Sequence, residues 1–507
     1  MRVLAFMVLA LALSVSTARA EWLEASSDHF VIYGDEEPEK VQQFAERLEL
    51  YHATMTQIYG ARQTKPSPSN RVRIFAVANA ATVRKVLGTK QRELVGVYIP
   101  HAGGSVALIP RLEKASMYDM SGETILYHEY AHHFMRAVLS ARAFPRWFTE
   151  GFAEFSAGAR FNKDGTITVG TPPYYRAAEL RFARSVPIRT MLSFDGGSAS
   201  ANTAFYAQSW VLFHYLHMDP ERSGQFVKYQ QLLASGKSAL AAAEGAFGDL
   251  DKLEKDMDAY MRRRRLAAKV IDGKALKTGP ISIRKLRVGE AAMMPTMIES
   301  KVGVDEEEAK ALVPVARKTA EAYPDDAAVL SALAEAEFDA GNDDAAIAAA
   351  DRAIAIDPSQ INAHLQKGYA LARKAASGAP GSPSWKEVRA QFIKANAVEN
   401  DHPVPLVHFY LSYRQAGEQP TQNAIDGLEW ALSLAPYDSS LRWLVAQQMV
   451  TDERLSDAIV TLGPLAYSPH PSDDTEKAMA LLKELEARLQ SSASSEEKTT
   501  GDAPGGE

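Results

Sequence analysis

The period of apolar and polar residues changes several times along this chain, and the changes divide it. Between residues 21 and 115, His29 to Tyr33 (HFVIY), Arg71 to Ala78 (RVRIFAVA), Val95 to Ile99 (VGVYI) and Ser105 to Ile109 (SVALI) are rich in β-branched and aromatic residues and bounded by Gly, Pro or Asn, as strands are. Pro38 to Tyr59 has helical periodicity. The pattern predicts an α/β layer of four strands and two helices. Gly122 to Ala137 is then helical, Pro145 opens a second helix and Gly158 is placed to close it. Phe161 to Val169 (FNKDGTITV) reads as a hairpin, and Ala204 to Met218, Gln225 to Ser235 and Asp249 to Ala267 as helices, so residues 116–270 form a mostly helical part. Residues 271–305 lack a strong pattern and are assigned to a linker.

The last third repeats itself. Pro324 and Pro358 are 34 residues apart, and the Ala-Ile pair at Ala424-Ile425 returns 34 residues on at Ala458-Ile459. Ala346-Ile347 and Ala353-Ile354 fit the same frame once the Gly/Pro/Ser-rich stretch Ala376 to Ser384 is counted as an insert. Such a period resembles the tetratricopeptide repeat, a pair of helices that buries its apolar face only by stacking on its neighbours. About four repeats are expected over residues 306–489. The polar, Gly- and Ser-rich residues 490–507 read as a disordered tail.

Composition narrows the chemistry. Residues 1–20 have a basic start at Arg2, an apolar run from Val3 to Leu13 and an Ala18-Arg19-Ala20 cleavage pattern, which reads as a secretory signal and an exported protein, periplasmic or secreted. Without Arg2 and Arg19, the 56 basic residues fall to 54 against 63 acidic ones, a balance that argues against nucleic acid as a partner. No later stretch approaches about 18 consecutive apolar residues, so no integral membrane segment is expected in the mature chain. The chain has no cysteine, which excludes thiol catalysis and leaves His, Asp and Glu as the strong metal ligands.

Against that background His128-Glu129-Tyr130-Ala131-His132 stands out. Two histidines four apart share one helix face, so both imidazoles can reach one ion while Glu129 lies beside them as a general base. A catalytic zinc needs three protein ligands and one open position. Glu150 follows His132 by 18 residues, enough to finish one helix, turn at Ala143 to Pro145 and return on another. It is assigned as the third ligand. Glu154, one turn on, is assigned as an acceptor for the distal N–H of a ligand histidine, with its own ligation as the alternative. His133 points about 100° away from the ligand face. His101, His217 and His364 have no motif around them.

His128-Glu129-x-x-His132 with Pro145-x-Trp147-x-x-Glu150-Gly151-x-Ala153-Glu154 resembles the gluzincin metallopeptidases, specifically the peptidase MA-like group related to aminopeptidase N. The resemblance spans residues 25–265, with its specific motifs confined to His128–Phe155. It implies an α+β zincin-like catalytic domain, followed here by an all-α repeat solenoid. It also implies Zn2+ as cofactor, the Glu of E-G-x-A (Glu150) as third ligand, and a Tyr or His from the following helical region to stabilise the oxyanion. Tyr206 is the first choice, with Tyr174, Tyr175 and His214 as rivals. Gly103 to Pro110 (GGSVALIP) departs from the family's amine-capturing G-x-M-x-N-like strand, which favours an endopeptidase whose peptide substrate lies along Ser105–Ile109 as on an edge strand.

Periplasmic quality-control metallopeptidases that combine H-E-x-x-H with tetratricopeptide repeats are the second resemblance, but they lack the E-G-x-A segment. The expected function is zinc-dependent hydrolysis of a peptide or protein substrate, with protein partners recruited by the repeats. Cell-wall peptide amides are a further substrate class. The alternative is a non-catalytic repeat scaffold with a vestigial or structural metal site. Gly151 is expected to let the two metal-bearing helices approach closely.

Overall fold

The computed structural model describes residues 21–500 apart from 63–64, 92–93, 113–117, 119, 141–142, 194–202 and 469–471. The expected signal segment 1–20 lies outside the described residues. A six-stranded mixed sheet organises the N-terminal part, in the order β4-β5-β3-β2-β1-β9. Its strands are β1 (Leu23–Ser26), β2 (Phe30–Gly34), β3 (Val72–Val77), β4 (Val97–Ile99), β5 (Val106–Pro110) and β9 (Ser282–Lys285). The neighbours β2, β3 and β5 run parallel, while β4, β1 and β9 pair antiparallel to theirs.

Side chains alternate across this sheet into two cores. Phe30, Ile32, Ile74 and Ala107 enter the larger one beneath helices α1 (Pro38–Tyr59) and α3 (Gly122–Val138). Phe75, Val77, Val106 and Leu108 enter a smaller one, covered by α2 (Ala80–Val86) and by Met294 and Ile298 of α11 (Val288–Val302). Both faces of β3 are therefore buried, which accounts for its nearly unbroken apolar run.

Beyond α3 come α4 (Arg146–Ala157), the hairpin β6 (Arg160–Phe161) and β7 (Thr166–Val169), and helices α5 (Ala177–Phe182), α6 (Ile188–Leu192), α7 (Phe205–Met218), α8 (Gln225–Ala234), α9 (Ala239–Phe247) and α10 (Leu250–Met261). Helix α4 is buried from Trp147 to Ala157 and packs between α3 and α7.

Four expectations are corrected here. The sheet has two strands beyond the predicted four, because β1 is only four residues long and β9 (SIRK) is polar and largely exposed. The supposed linker 271–305 is ordered: β8 (Lys269–Asp272) joins β7, β9 joins β1, and α11 covers the sheet. Helix α10 ends at Met261, six residues before Ala267, where the chain turns towards β8. The expected tail from residue 490 continues as helix through Thr500, and 501–507 lie outside the described residues.

The remaining helices stack in pairs: α11 with α12 (Glu306–Ala322), α13 (Ala327–Asp339) with α14 (Asp343–Ile356), α15 (Ile361–Ser377) with α16 (Trp385–Val398), α17 (Pro403–Gln415) with α18 (Gln422–Leu434), and α19 (Ser439–Thr451) with α20 (Leu455–Ala466). Helix α21 (Asp473–Thr500) packs on α20. This is an all-α solenoid of tetratricopeptide type. Pro324 and Pro358 fall in the turns after second helices, and Ala346, Ala424 and Ala458 are fully buried where paired helices meet. The array starts at Val288 rather than at residue 306, since α11 and α12 form a pair whose sequence lacks the Ala-Ile mark. No helix among the described residues is long and apolar enough to cross a membrane.

Candidate metal centre

Helix α3 starts at Ser121, whose side chain accepts from the Thr124 N–H, and its apolar side, with Leu126, Tyr127, Tyr130 and Phe134, is fixed in the larger core. That leaves His128 and His132 on the side facing α4. Their Nε2 atoms are 3.2 Å apart. Glu150 Oε2 stands 3.3 Å from His128 Nε2 and 3.5 Å from His132 Nε2. Bonds of about 2.0–2.2 Å around a tetrahedral zinc place neighbouring ligand atoms about 3.3–3.6 Å apart, so this triangle already has close to the required size. Neither oxygen of the fully buried Glu150 has a hydrogen-bond partner, which is costly for a carboxylate unless a cation sits between it and the imidazoles. Among the described residues these three side chains form the only His/Asp/Glu cluster of metal-binding geometry.

The electrostatics agree. Burial disfavours a charge on His128, yet Glu150 and Glu154 outweigh it and raise its pKa to about 10. Burial likewise opposes ionisation of Glu150, and the two histidines hold it well below the usual carboxylate range. The two carboxylates thus favour a positive charge on the side they share with His128.

Glu154 sits behind His128, with Oε1 3.3 Å from Nδ1. The same oxygen accepts from Arg176 Nε and Nη2 at 3.0 and 2.7 Å, and Oε2 accepts from the Tyr175 hydroxyl at 2.8 Å. Against its burial, Arg176 and His128 bring the Glu154 pKa down to about 2. Sequence reasoning missed Arg176, which lies 22 residues beyond Glu154 in an aperiodic stretch.

Glu129 is half-buried on the next face of α3, close enough to Arg136 and Tyr98 to interact electrostatically. The Tyr206 ring is 6.5 Å from that of His128, and its hydroxyl receives a 3.5 Å bond from Arg146 Nη2. The rivals are placed otherwise. Tyr175 is engaged by Glu154, Tyr174 is half-exposed and stacked on Tyr118, and buried His214 is tied to the Tyr260 hydroxyl and the Ala267 carbonyl.

His133 bonds to Tyr98 and packs on Tyr437 of the solenoid with ring centres 4.0 Å apart. His101 meets the Ala102 carbonyl, His364 the Pro358 carbonyl, and His217 packs among Phe155 and Phe213.

Two readings are corrected. Ser105–Ile109 is not an edge: β5 is paired on both sides, and the edge strand there is β4. Gly151 does permit a close approach, but to α7 rather than α3. A Cβ at this position would lie 2.5 Å from the Ser209 carbonyl oxygen and 2.7 Å from Phe213 Cβ.

No family model matches the chain, and no curated protein matches it. Among solved structures it is similar to the thermophilic TPR protein TTC0263 of Thermus thermophilus, at 17% identity over 38% of this chain and 99% of that one, with a TM-score of 0.33. It is also similar to MamA, at 14% identity over 36% and 96% with a TM-score of 0.27. For yeast Tom70 the identity is 12% over 60% and 64%, with a TM-score of 0.27. The solenoid rests on its own paired helices and 34-residue period.

Proposed function

We propose that this chain is an exported zinc-dependent peptidase of gluzincin type, its zincin-like α+β domain joined to a repeat domain that binds protein. The observation that carries the reading is the triangle of 3.2, 3.3 and 3.5 Å between His128, His132 and Glu150 around an otherwise unpartnered buried carboxylate. These three residues would hold the ion. When bound, zinc supplies Lewis acidity towards a carbonyl and lowers the pKa of a coordinated water to about 7.

The chain's own groups do the rest. Glu129 takes a proton from the attacking water and passes it to the leaving amine. Glu154, anchored by Arg176 and Tyr175, holds the His128 ring so that Nε2 faces Glu150. The Tyr206 hydroxyl accepts from Arg146, which leaves its own proton to be donated to the oxygen that gains charge. An extended peptide has β4 as its edge for pairing.

The solenoid favours a second reading, a non-catalytic scaffold with a vestigial or structural metal site, because an array of paired helices from Val288 onward can bind partners without any chemistry. Elemental analysis, with cleavage of a broad peptide library by wild type and Glu129→Gln, separates the two. The peptidase reading expects one zinc per chain and a loss of about 10²–10⁴-fold in cleavage on substitution. Bound zinc without Glu129-dependent cleavage establishes the scaffold.

A further inference from the structure

Several buried or half-buried arginines of this domain are matched to carboxylates. Arg47 meets Glu123, Arg176 meets Glu154 and Glu179, and Arg222 meets Asp256. Arg146 has no carboxylate partner among the described residues. Its one side-chain hydrogen bond is the 3.5 Å contact to the neutral Tyr206 hydroxyl, and its Nε is buried with no partner at all. The guanidinium is held in place by aromatic rings, 4.9 Å from the centre of Phe205 and 5.9 Å from that of Tyr206. It is therefore fixed and only partly buried, with most of its five donors unused.

Its place on α4 gives this meaning. Arg146, Glu150 and Glu154 are successive i, i+4 positions, so they share one helix face, and residues four apart have Cβ atoms about 5–6 Å from one another. Arg146 thus stands one turn ahead of the candidate ligand Glu150, on the side where Tyr206 borders the centre. A fork of unused N–H donors suits the two oxygens of a carboxylate.

We infer that Arg146 is a specificity residue which binds a carboxylate of the substrate, either the terminal group or an Asp or Glu side chain. With about 3.3–3.6 Å of extended chain per residue, that carboxylate lies within a residue or two of the bond to be cut. This inference rests on the peptidase reading for its site, but its test reads binding instead of turnover.

The test uses the full-length, zinc-loaded Glu129→Gln protein and fluorescent peptides in matched pairs, one pair differing in a free or amidated C-terminus and another in internal Asp or Asn. The expected result is at least about tenfold tighter binding of the acidic member of one pair, and the pair that responds identifies the source of the carboxylate. Adding Arg146→Met should remove the preference by weakening the acidic member at least about tenfold more than the neutral one, while Arg146→Lys should keep part of it.

Equal binding within both pairs, or a preference that survives Arg146→Met, overturns the inference. Equal weakening of acidic and neutral peptides also overturns it, since Arg146 would then only position Tyr206. A preference that depends on Arg146, in a protein whose wild type shows no Glu129-dependent cleavage, overturns the peptidase reading and leaves the carboxylate site standing.

Discussion

Glu154 Oε1 lies 3.3 Å from His128 Nδ1 while accepting two N–H bonds from Arg176. The oxygen that orients the histidine is thus itself held from behind. Glu154→Gln keeps the shape but removes the charge that fixes the ring, and zinc affinity measured by chelator competition should fall about 10–100-fold. Arg176→Met should cost less, because Tyr175 still holds the other carboxylate oxygen. If the Gln variant keeps parental zinc affinity, Glu154 has no part in ordering the centre.

Gly151→Ala sets two effects against each other. Alanine favours the helix by about 1 kcal/mol. Its Cβ, however, would stand 2.5 Å from the Ser209 backbone oxygen, a group that cannot rotate out of the way. Overpacking of this kind costs about 1–3 kcal/mol or more, so steric conflict should win. Urea melts should show net destabilisation, and zinc should bind more weakly because Glu150 precedes the displaced residue. A more stable variant would mean that α4 and α7 have room to separate.

Stability should also decline in mild acid. Burial pushes the pKa of His52 down to about 3 and those of His214, His217 and His408 down to about 4. The unfolded chain takes up these protons near pH 6.5, the folded chain only lower. Below pH 6.5 the unfolded state therefore binds more protons, and stability falls until the folded values are passed. Urea midpoints should drop clearly between pH 7.5 and pH 5, and His408→Gln should make the drop shallower. A flat profile over that range would mean that these histidines are solvated.

What could be read in advance follows the range of each interaction. That His128 and His132 share a face follows from helix geometry alone, and the absence of cysteine narrows the third ligand to a carboxylate or another histidine, with Glu150 at a workable spacing. The 34-residue period carried the solenoid, because each pair repeats the same local packing. Long-range partners left no such trace. Ser105–Ile109 reads as a strand from its own residues, but nothing in them names its neighbours, and β3 and β4 flank it on both sides. Strand β9 pairs with β1 across the whole domain, and its polar sequence reflects an exposed edge rather than a loop. Arg176 and Arg146 acquire their roles from what folds around them. A spacing rule cannot find either.

Asn70 shows how firmly the solenoid is joined to the domain that carries the candidate centre. Buried at 4% exposure, it accepts from the Gly103 N–H and the Tyr437 hydroxyl at 3.0 Å each and donates to the Leu434 carbonyl at 2.9 Å. Tyr437 in turn packs on His133, next to the candidate ligand His132. One side chain therefore fixes the β4–β5 loop, the end of α18 and the ring that backs α3. Asn70→Ala strands three polar groups at once, at about 1–3 kcal/mol for each that water cannot reach, so a loss of about 2–4 kcal/mol is expected. Hydrogen exchange should rise first around Gly103 and residues 434–438, ahead of the sheet centre, and zinc affinity should fall as His133 loses its backing. If exchange instead rises uniformly, Asn70 supports the fold as a whole and the seam is not a separate unit. If neither stability nor exchange changes, the two domains are held together elsewhere, by Ser69 with Glu399 and Arg136 with Ser468.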